Sequence, residues 1–314
     1  MRTDRLLSTA VVTAMLVGHS IPASQAKPAG DITIVMSGRA QQPGEVVRLL
    51  VGCSCASGVA SATVFGHDVP LVRIDGGWEG LIGIDLDVAP AAYTVAARIE
   101  RKSQPPLAAT SRLTVTAKRF STRHLRVAPE FVNPPAAELQ RIRDEAQAMA
   151  VIFENTSTPR EWRAPFQLPV NVPANSSFGT RSVFNGEARS PHSGADFSAP
   201  AGTPVAAPAA GVVALAAPQY YTGNTVVIDH GLGLYSVLAH LSVMSVGAGE
   251  RINAGQIVGR VGATGRVTSA HLHWSVRLNV ARVDPLSLVA ATSLEGARSR
   301  PPADGSHPEG QHPR

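Results

Sequence analysis

Two histidines, His271 and His273, stand two residues apart in a stretch that follows a glycine-rich turn and reads as a β-strand. Side chains alternate between the two faces of a strand, so both imidazoles should point to the same face. Such a pair can bind one metal ion, or bind a metal through one ring and transfer a proton with the other. Two half-buried strand histidines are the alternative, and the residues upstream must decide between these interpretations.

Further candidate metal ligands occur upstream. His192 and Asp196 lie four residues apart in a segment whose proline and glycine disfavour a helix, so in an extended chain they would share a face. Imidazole and carboxylate are both good zinc ligands. His240 is predicted to end a strand and to be functional. His230 stands just before a glycine turn, which favours a structural or solvated role.

The rest of the chain reads mainly as β-structure. Residues 31–118 contain short strand-like runs separated by glycine, proline and polar turns at regular spacing, which predicts a small β-sandwich. Residues 165–290 return to the same pattern of strands and turns. Aromatic residues make up 5% of the chain and charged residues 16%, a composition that fits many short strands better than long helices.

A linker, residues 119–164, separates the two β-regions and contains one predicted helix, residues 135–153. Apolar residues recur there at three- and four-residue steps, while the other face stays polar. These apolar residues are Leu139, Ile142, Ala146, Met149 and Ile152. The helix is expected to pack across the junction between the domains, and a spacer that holds the domains apart is the alternative.

The N-terminus is typical of a secretory signal peptide, residues 1–26. Arg2 and Arg5 precede an apolar run that is too short to span a bilayer comfortably, and small residues favour cleavage after Ala26. An uncleaved anchor is the alternative. No later apolar run has the length of a membrane span, so none is expected after cleavage. Residues 295–314 are rich in proline, glycine and charge, which predicts a disordered tail.

The charge of the chain bears on its binding partners, and its cysteine content bears on its redox environment. Removal of residues 1–26 would take away Arg2, Asp4 and Arg5, which leaves 28 − 2 = 26 basic and 23 − 1 = 22 acidic residues. The resulting net charge of +4 suits an anionic cell envelope. No basic cluster is interleaved with aromatics, so nucleic-acid binding is not expected. Cys53 and Cys55 are the only cysteines, and export would permit a strained local disulfide between them. Two free or otherwise paired thiols are the alternative.

Taken together and in this order, the residues resemble the lysostaphin/LytM-type zinc endopeptidases of bacterial cell walls. The resemblance covers about residues 165–290. Its elements are His192-x-x-x-Asp196, Gly202-Thr-Pro-Val, Ala239-His240-Leu, Gly262-Ala-Thr-Gly and His271-x-His273. Residues 31–118 resemble, more loosely, the immunoglobulin-like domain that precedes the catalytic domain in some members.

The resemblance implies a mainly β protein: an immunoglobulin-like sandwich, a linker helix and an antiparallel-β LytM-type domain with the duplicated-hybrid-motif fold. It implies one Zn²⁺ per chain, held by His192, Asp196 and His273, with one position left for water. The metal would lower the pKa of that water and polarise the scissile carbonyl. His240 and His271 match the catalytic non-ligand histidines, which orient or deprotonate the water and stabilise the oxyanion.

The sequence therefore predicts a periplasmic or secreted zinc metalloendopeptidase that hydrolyses peptide cross-links of peptidoglycan. Its expected partners are peptidoglycan stems or cross-links. A regulatory envelope protein is a further candidate partner. One alternative is a non-catalytic LytM-like activator of another wall hydrolase, although such proteins typically lack some of the metal and catalytic residues. Another alternative is a zinc peptidase that acts on a protein substrate.

Overall fold

The computed structural model describes residues 32–53, 58–126, 133–156, 159–163, 165–174 and 178–293. The predicted signal peptide and the predicted disordered tail lie outside these ranges. Within the described residues, no helix is both long enough and apolar enough to cross a bilayer.

The N-terminal part consists of two four-stranded antiparallel sheets. In chain order the strands are β1 (Ile32–Gly38), β2 (Val46–Cys53), β3 (Val59–Val64), β4 (His67–Val69), β5 (Val72–Ile74), β6 (Gly77–Gly83), β7 (Ala91–Arg101) and β8 (Gln104–Val115). One sheet has the order β1-β2-β6-β5 and the other β4-β3-β7-β8. The predicted β-region is therefore present, while its immunoglobulin-like class stays a prediction.

Alternation of side chains explains why the two sheets face each other. In β7, Val95, Ala97 and Ile99 are buried and alternate with more exposed residues. They share one apolar core with Val47 and Leu49 of β2, which lies in the other sheet. Cys53 at the end of β2 is disulfide-bonded. Cys55, the only other cysteine of the chain, falls outside the described residues.

The connecting segment holds a strand, a 3₁₀ turn and a helix: β9 (Thr122–Leu125), Ala136–Glu138 and α1 (Leu139–Glu154). The predicted helix thus exists, but its first residues form the 3₁₀ turn, which begins directly after Pro135. Met149 and Phe153 of α1 pack against Tyr235 of the following domain. The described apolar contacts of α1 are with that domain's sheet rather than across the junction.

The C-terminal part is an antiparallel β-domain closed by a short helix. Its elements are β10 (Arg181–Phe184), β11 (Glu187–Ala188), β12 (Gly194–Phe197), β13 (Pro204–Ala206), β14 (Gly211–Gln219), β15 (Gly223–Asp229), β16 (Leu234–Met244), β17 (Arg251–Ile252), β18 (Ile257–Val261), β19 (Leu272–Leu278), β20 (Ala281–Val283) and α2 (Pro285–Ser293). Nine of these strands form one sheet, with the central order β12-β19-β16-β15-β14-β17. A separate small sheet, β11-β10-β9, includes the strand from the connecting segment, and β9 and β10 run parallel.

The two faces of the nine-stranded sheet have different roles. Leu272, Trp274 and Val276 of β19 are buried in the core that α2 also covers. The alternating residues of β19 point to the opposite face, where α1 covers one end of the sheet. The other end of that face is left for the histidines identified in the sequence.

The two β-regions are held together by buried polar contacts as well as apolar ones. The Glu45 carboxylate accepts hydrogen bonds from Arg39, Lys118 and the Ser287 hydroxyl, at 2.7–2.9 Å. Burial would raise the pKa of Glu45, but these donors outweigh it and lower the pKa below its ordinary value. Val46 belongs to the apolar core of the C-terminal domain. The sandwich and the C-terminal domain therefore pack against each other, and the charge of Glu45 is compensated at their contact.

His230 proves to be structural and fully buried rather than solvated. Its Nδ1 donates to the Ala210 carbonyl at 2.8 Å, and its Nε2 lies 2.9 Å from the Ser236 hydroxyl. That hydroxyl also accepts from the Trp274 indole at 3.1 Å. Burial lowers the pKa of His230 from 6.5 to about 4.

This lowered pKa predicts a loss of stability in acid. Below about pH 6.5 the unfolded chain takes up a proton that folded His230 accepts only near pH 4, so the free energy of unfolding should fall across this window. The contribution is at most roughly 3 kcal/mol. Urea unfolding of wild type and His230→Asn at several pH values measures it, because the variant should have the shallower pH dependence. Equal slopes in both proteins would contradict the role given to this side chain.

Candidate metal centre and active-site groove

Strand pairing places a carboxylate beside an imidazole. β12 and β19 are antiparallel neighbours, and their register puts Asp196 directly opposite His273. Paired residues of antiparallel strands project to the same face, so both side chains enter one site. Gly194 permits the close approach, because a Cβ atom there would lie 2.8 Å from His273 Nε2 and 2.4 Å from the Trp274 carbonyl oxygen. His192 is held just before β12 by a backbone hydrogen bond from its N–H to the Thr180 carbonyl.

Three possible ligand atoms converge at this point. His192 Nε2 lies 3.0 Å from Asp196 Oδ1 and 3.2 Å from His273 Nδ1, and His273 Nδ1 lies 2.8 Å from Asp196 Oδ1. Two ring nitrogens that face each other cannot both be satisfied when each imidazole is neutral and presents a lone pair. A cation between the three atoms would satisfy all of them. Tetrahedral zinc holds such ligand atoms about 3.3 Å apart, so the set fits zinc.

The surroundings of Asp196 and His273 favour the protonation states in which these side chains can bind a metal. Burial would raise the pKa of the Asp196 carboxyl, but hydrogen bonds from His192 and His273 outweigh burial and hold the pKa well below its usual range. Burial also lowers the pKa of His273, which favours its neutral ring. Metal binding requires a deprotonated carboxylate and neutral imidazoles. The site therefore favours a deprotonated Asp196 and a neutral His273 near neutral pH.

The two remaining histidines of the sequence motifs lie beside this group. His271 forms an isolated bridge with Gly262 just before β19, and its Nε2 is 3.9 Å from Asp196 Oδ1. The ring of His240 lies 4.8 Å from that of His271 and 6.1 Å from that of His273, between centroids. The structure thus brings all five predicted site residues together.

The sequence predicts that His240 ends a strand, but the strand continues beyond it. β16 continues to Met244, and His240 occupies a β-bulge at which Ala239 and His240 together face the single residue Thr225 of β15. Its φ of 63° lies in the left-handed region, which is uncommon for a residue other than glycine. Bulges next to active sites redirect side chains. Here the bulge coincides with the turn of His240 toward the other histidines.

Backbone carbonyls set the orientation of both rings. His240 Nδ1 donates to the Thr264 carbonyl at 3.0 Å, and His271 Nδ1 donates to the Ser269 carbonyl at 2.9 Å. Burial lowers the pKa of His240 to about 4, so the ring is neutral at pH 7. A neutral ring that uses Nδ1–H in this way carries its lone pair on Nε2. The Thr264 carbonyl belongs to the Gly262-Ala-Thr-Gly element of the sequence. The role of the two carbonyls was not predicted, because main-chain acceptors leave no mark on residue type.

The site lies in an open groove. One side of the groove contains residues of the small β11-β10-β9 sheet, including Arg123, Ser182 and Phe184, and Tyr221 and Arg266 also line it. Sequence reasoning did not predict these arginines as site residues, since a single surface arginine carries no signal of its place in the fold.

Three other polar residues of the nine-stranded sheet, Asp229, Tyr235 and Arg277, are aligned with one another across β15, β16 and β19, away from the candidate metal centre. Tyr235 donates its hydroxyl to the Asn155 carbonyl, and Asp229 accepts from the Gly231 N–H at 2.7 Å. The Arg277 guanidinium lies over the Phe153 ring. Arg277 is four residues along β19 from His273, a separation of roughly 13 Å in a strand. These residues support the end of the sheet that α1 covers.

Comparisons with known proteins agree with this fold and site. Residues 190–285 match Peptidase family M23. A crystal structure of an M23-family protein from Pseudomonas aeruginosa is 32% identical, with a TM-score of 0.63, and the alignment covers 80% of this chain and 96% of that one. The DD-carboxypeptidase/endopeptidase Mpg of Neisseria meningitidis is 42% identical over 101 residues, which are 32% of this chain and 23% of Mpg. The peptidoglycan DD-endopeptidase ShyA of Vibrio cholerae is 44% identical over 86 residues, 27% of this chain and 20% of ShyA.

The chain therefore belongs to peptidase family M23, and the resemblance to the lysostaphin/LytM-type peptidases is confirmed. The predicted mainly β, antiparallel fold is confirmed with it. The aligned region spans less than a quarter of the length of each of these two curated relatives.

Proposed function

We propose that this protein is a zinc metalloendopeptidase that hydrolyses peptide cross-links of peptidoglycan. The observation that carries the proposal is the convergence of His192 Nε2, Asp196 Oδ1 and His273 Nδ1 in a groove that also contains His240 and His271. Membership of family M23 supports peptide-bond hydrolysis in general. The names of the aligned relatives, which include peptidoglycan DD-endopeptidases, support a cell-wall cross-link as the substrate.

In this proposal His192, Asp196 and His273 hold one Zn²⁺ per chain. Zinc bound there would supply Lewis acidity, which lowers the pKa of water and polarises a carbonyl. Three protein ligands are the number that catalytic zinc sites use, so a metal held by these residues would remain accessible to water or substrate. The low pKa of Asp196 and the lowered pKa of His273 support metal binding at neutral pH.

The proposed catalytic residues are His240 and His271, which act through their Nε2 atoms. Because each Nδ1–H is tied to a backbone carbonyl, Nε2 is free to accept a proton from the attacking water. Once protonated, the same nitrogen can donate a hydrogen bond to the developing oxyanion or pass the proton to the leaving amine. Two such rings on one side of the metal centre suit acyl transfer to water.

The proposed location is the periplasm or the exterior of the cell, where the wall lies. The signal-like residues 1–26 and the net positive charge of the remaining chain support it, since a cationic protein is attracted to an anionic envelope. The complete set of five site residues supports an active enzyme over a non-catalytic activator of another hydrolase.

Digestion of purified sacculi tests the function. Zinc-loaded protein should convert cross-linked fragments into uncross-linked ones, as identified by mass spectrometry. A chelator should stop the reaction and added zinc should restore it. If zinc-loaded protein released nothing itself but stimulated a second wall hydrolase, the activator alternative would replace the proposal. Cleavage of protein substrates with intact cross-links would favour the protein-directed peptidase.

A further inference from the structure

The groove contains three positively charged side chains that have no part in the candidate metal centre. Arg123, Arg189 and Arg266 all line it. Among its described lining residues the sole carboxylate is Asp196, which already faces His192 and His273. Before any metal binds, the groove thus presents three guanidinium groups against one carboxylate. Such a groove attracts an anionic ligand.

Arg266 is held in a fixed orientation. Its guanidinium lies 4.3 Å from the centre of the Tyr221 ring, and its backbone N–H donates to the Tyr221 carbonyl at 3.0 Å. Arginine recognises a carboxylate through the planar fork of its guanidinium group. Burial lowers the pKa of Arg266, and the nearby charge of Arg189 lowers it further. An anion between the two guanidinium groups would relieve their repulsion.

Arg189 has a donor that the described protein atoms do not satisfy. Its Nη2 pairs with Glu187 at 2.8 Å, but the Glu187 side chain is 56% exposed, so this pair is weak. Its Nε is buried and has no hydrogen-bond partner among the described residues. A buried N–H without an acceptor is costly, and an acceptor atom of a bound ligand would remove that cost.

Arg123 comes from the connecting segment rather than from the main sheet. The parallel pairing of β9 with β10 places it opposite Ser182, and its Nε donates to the Ser182 hydroxyl at 2.9 Å. Arg123 and Arg189 both lie outside residues 190–285, the range that matches family M23. The positive side of the groove is thus built partly from sequence beyond the matched region.

We propose that Arg123, Arg189 and Arg266 bind a free carboxylate of the substrate and thereby select cross-links that carry one beside the scissile bond. This inference rests on the proposed function and names the substrate class more closely. Stem peptides of peptidoglycan carry free carboxylates, whereas a bridge of glycine residues carries none along its length. The three arginines therefore favour a direct link between stems over a glycine bridge.

The test compares two cross-linked stem peptides that differ in one group, a free carboxylate or a carboxamide beside the scissile bond. Zinc-loaded full-length protein should cleave the acid with a kcat/KM higher by roughly 10-fold or more, mainly through KM, since charge-assisted hydrogen bonds have about this value. The preference should fall toward 1 in Arg189→Gln and Arg266→Gln, and partly in Arg123→Gln. Arg181→Gln is the matched control, because exposed Arg181 precedes Ser182 on β10 and does not line the groove.

The outcomes separate this inference from the function on which it rests. Equal cleavage of acid and amide by wild type, or an undiminished preference in all three groove variants, would overturn the carboxylate site and leave the peptidase intact. Cleavage of neither peptide would refute the proposed function. In that case, the affinities of the two peptides, measured by calorimetry, would test the carboxylate site independently of cleavage. Zinc content and thermal unfolding check each variant, and Arg266→Lys, which keeps the charge but loses the planar fork, replaces Arg266→Gln if that variant does not fold.

Discussion

Replacing Asp196 with alanine is expected to remove the bound metal and the hydrolytic activity together. Its Oδ1 lies within 3.0 Å of both His192 Nε2 and His273 Nδ1, so it is the one anionic ligand atom of the group. Two neutral imidazoles alone would hold a divalent cation much less tightly. Activity should fall by at least roughly 1000-fold, since the stabilisation that the metal supplies is lost with it. Elemental analysis of zinc and release of fragments from sacculi measure the two effects.

Exposed Asp68 of β4 provides the matched control, because Asp68→Ala removes a carboxylate from the sandwich and not from the groove. That variant should keep one zinc and full activity. His192→Ala and His273→Ala should behave like Asp196→Ala. If Asp196→Ala kept stoichiometric zinc and near-normal activity, the proposed ligand set would be refuted. Thermal unfolding shows whether any loss reflects the site or the whole fold.

Much of this site could be predicted because strand alternation is a local property. His271 and His273 share a face for the same reason that Leu272 and Trp274 share the core. The neighbouring pairing of β12 with β19, which puts Asp196 opposite His273, depends on a register between segments about 77 residues apart. No local pattern encodes that register. The family resemblance implied only that Asp196 and His273 hold the same metal, and not which strands pair.

The bulge at His240 shows a different limit of sequence reasoning. The run from Leu234 predicts a strand, and β16 begins there, but the sequence does not show that one extra residue interrupts its pairing with β15. A positive φ is usually marked by glycine or asparagine, and histidine gives a weaker signal. The strand end predicted at His240 was therefore wrong, although His240 does lie in the groove.

Long-range contacts account for the rest of what was missed. β9 lies in the predicted linker but adds a parallel strand to β10, and parallel neighbours can be far apart in sequence. A glutamate is usually exposed, but Glu45 is buried against Ser287, where Arg39 and Lys118 compensate its charge. Both features depend on which surfaces meet after folding, and the short-range periodicity of the sequence does not contain that information.

Substitution of the two proposed catalytic histidines should separate metal binding from chemistry. His271→Ala and His240→Asn are expected to keep about one zinc per chain, since neither side chain belongs to the converging ligand atoms. Each should lose roughly 100-fold or more in kcat, because proton transfer and oxyanion contacts each contribute about that much. Asparagine is chosen at position 240 because it tolerates the left-handed backbone that His240 adopts.

The measurements are zinc content, thermal unfolding and fragment release, with exposed His67→Ala in the sandwich as the histidine control. Loss of zinc in His271→Ala together with its retention in His273→Ala would reverse the roles of these two residues. Near-normal activity in His240→Asn would remove His240 from the mechanism. The geometry favours neither of these results. His271 Nε2 is 3.9 Å from Asp196 Oδ1, whereas the nearest atoms of the ligand group are 2.8–3.2 Å apart, so His271 lies beside the metal centre and not within it.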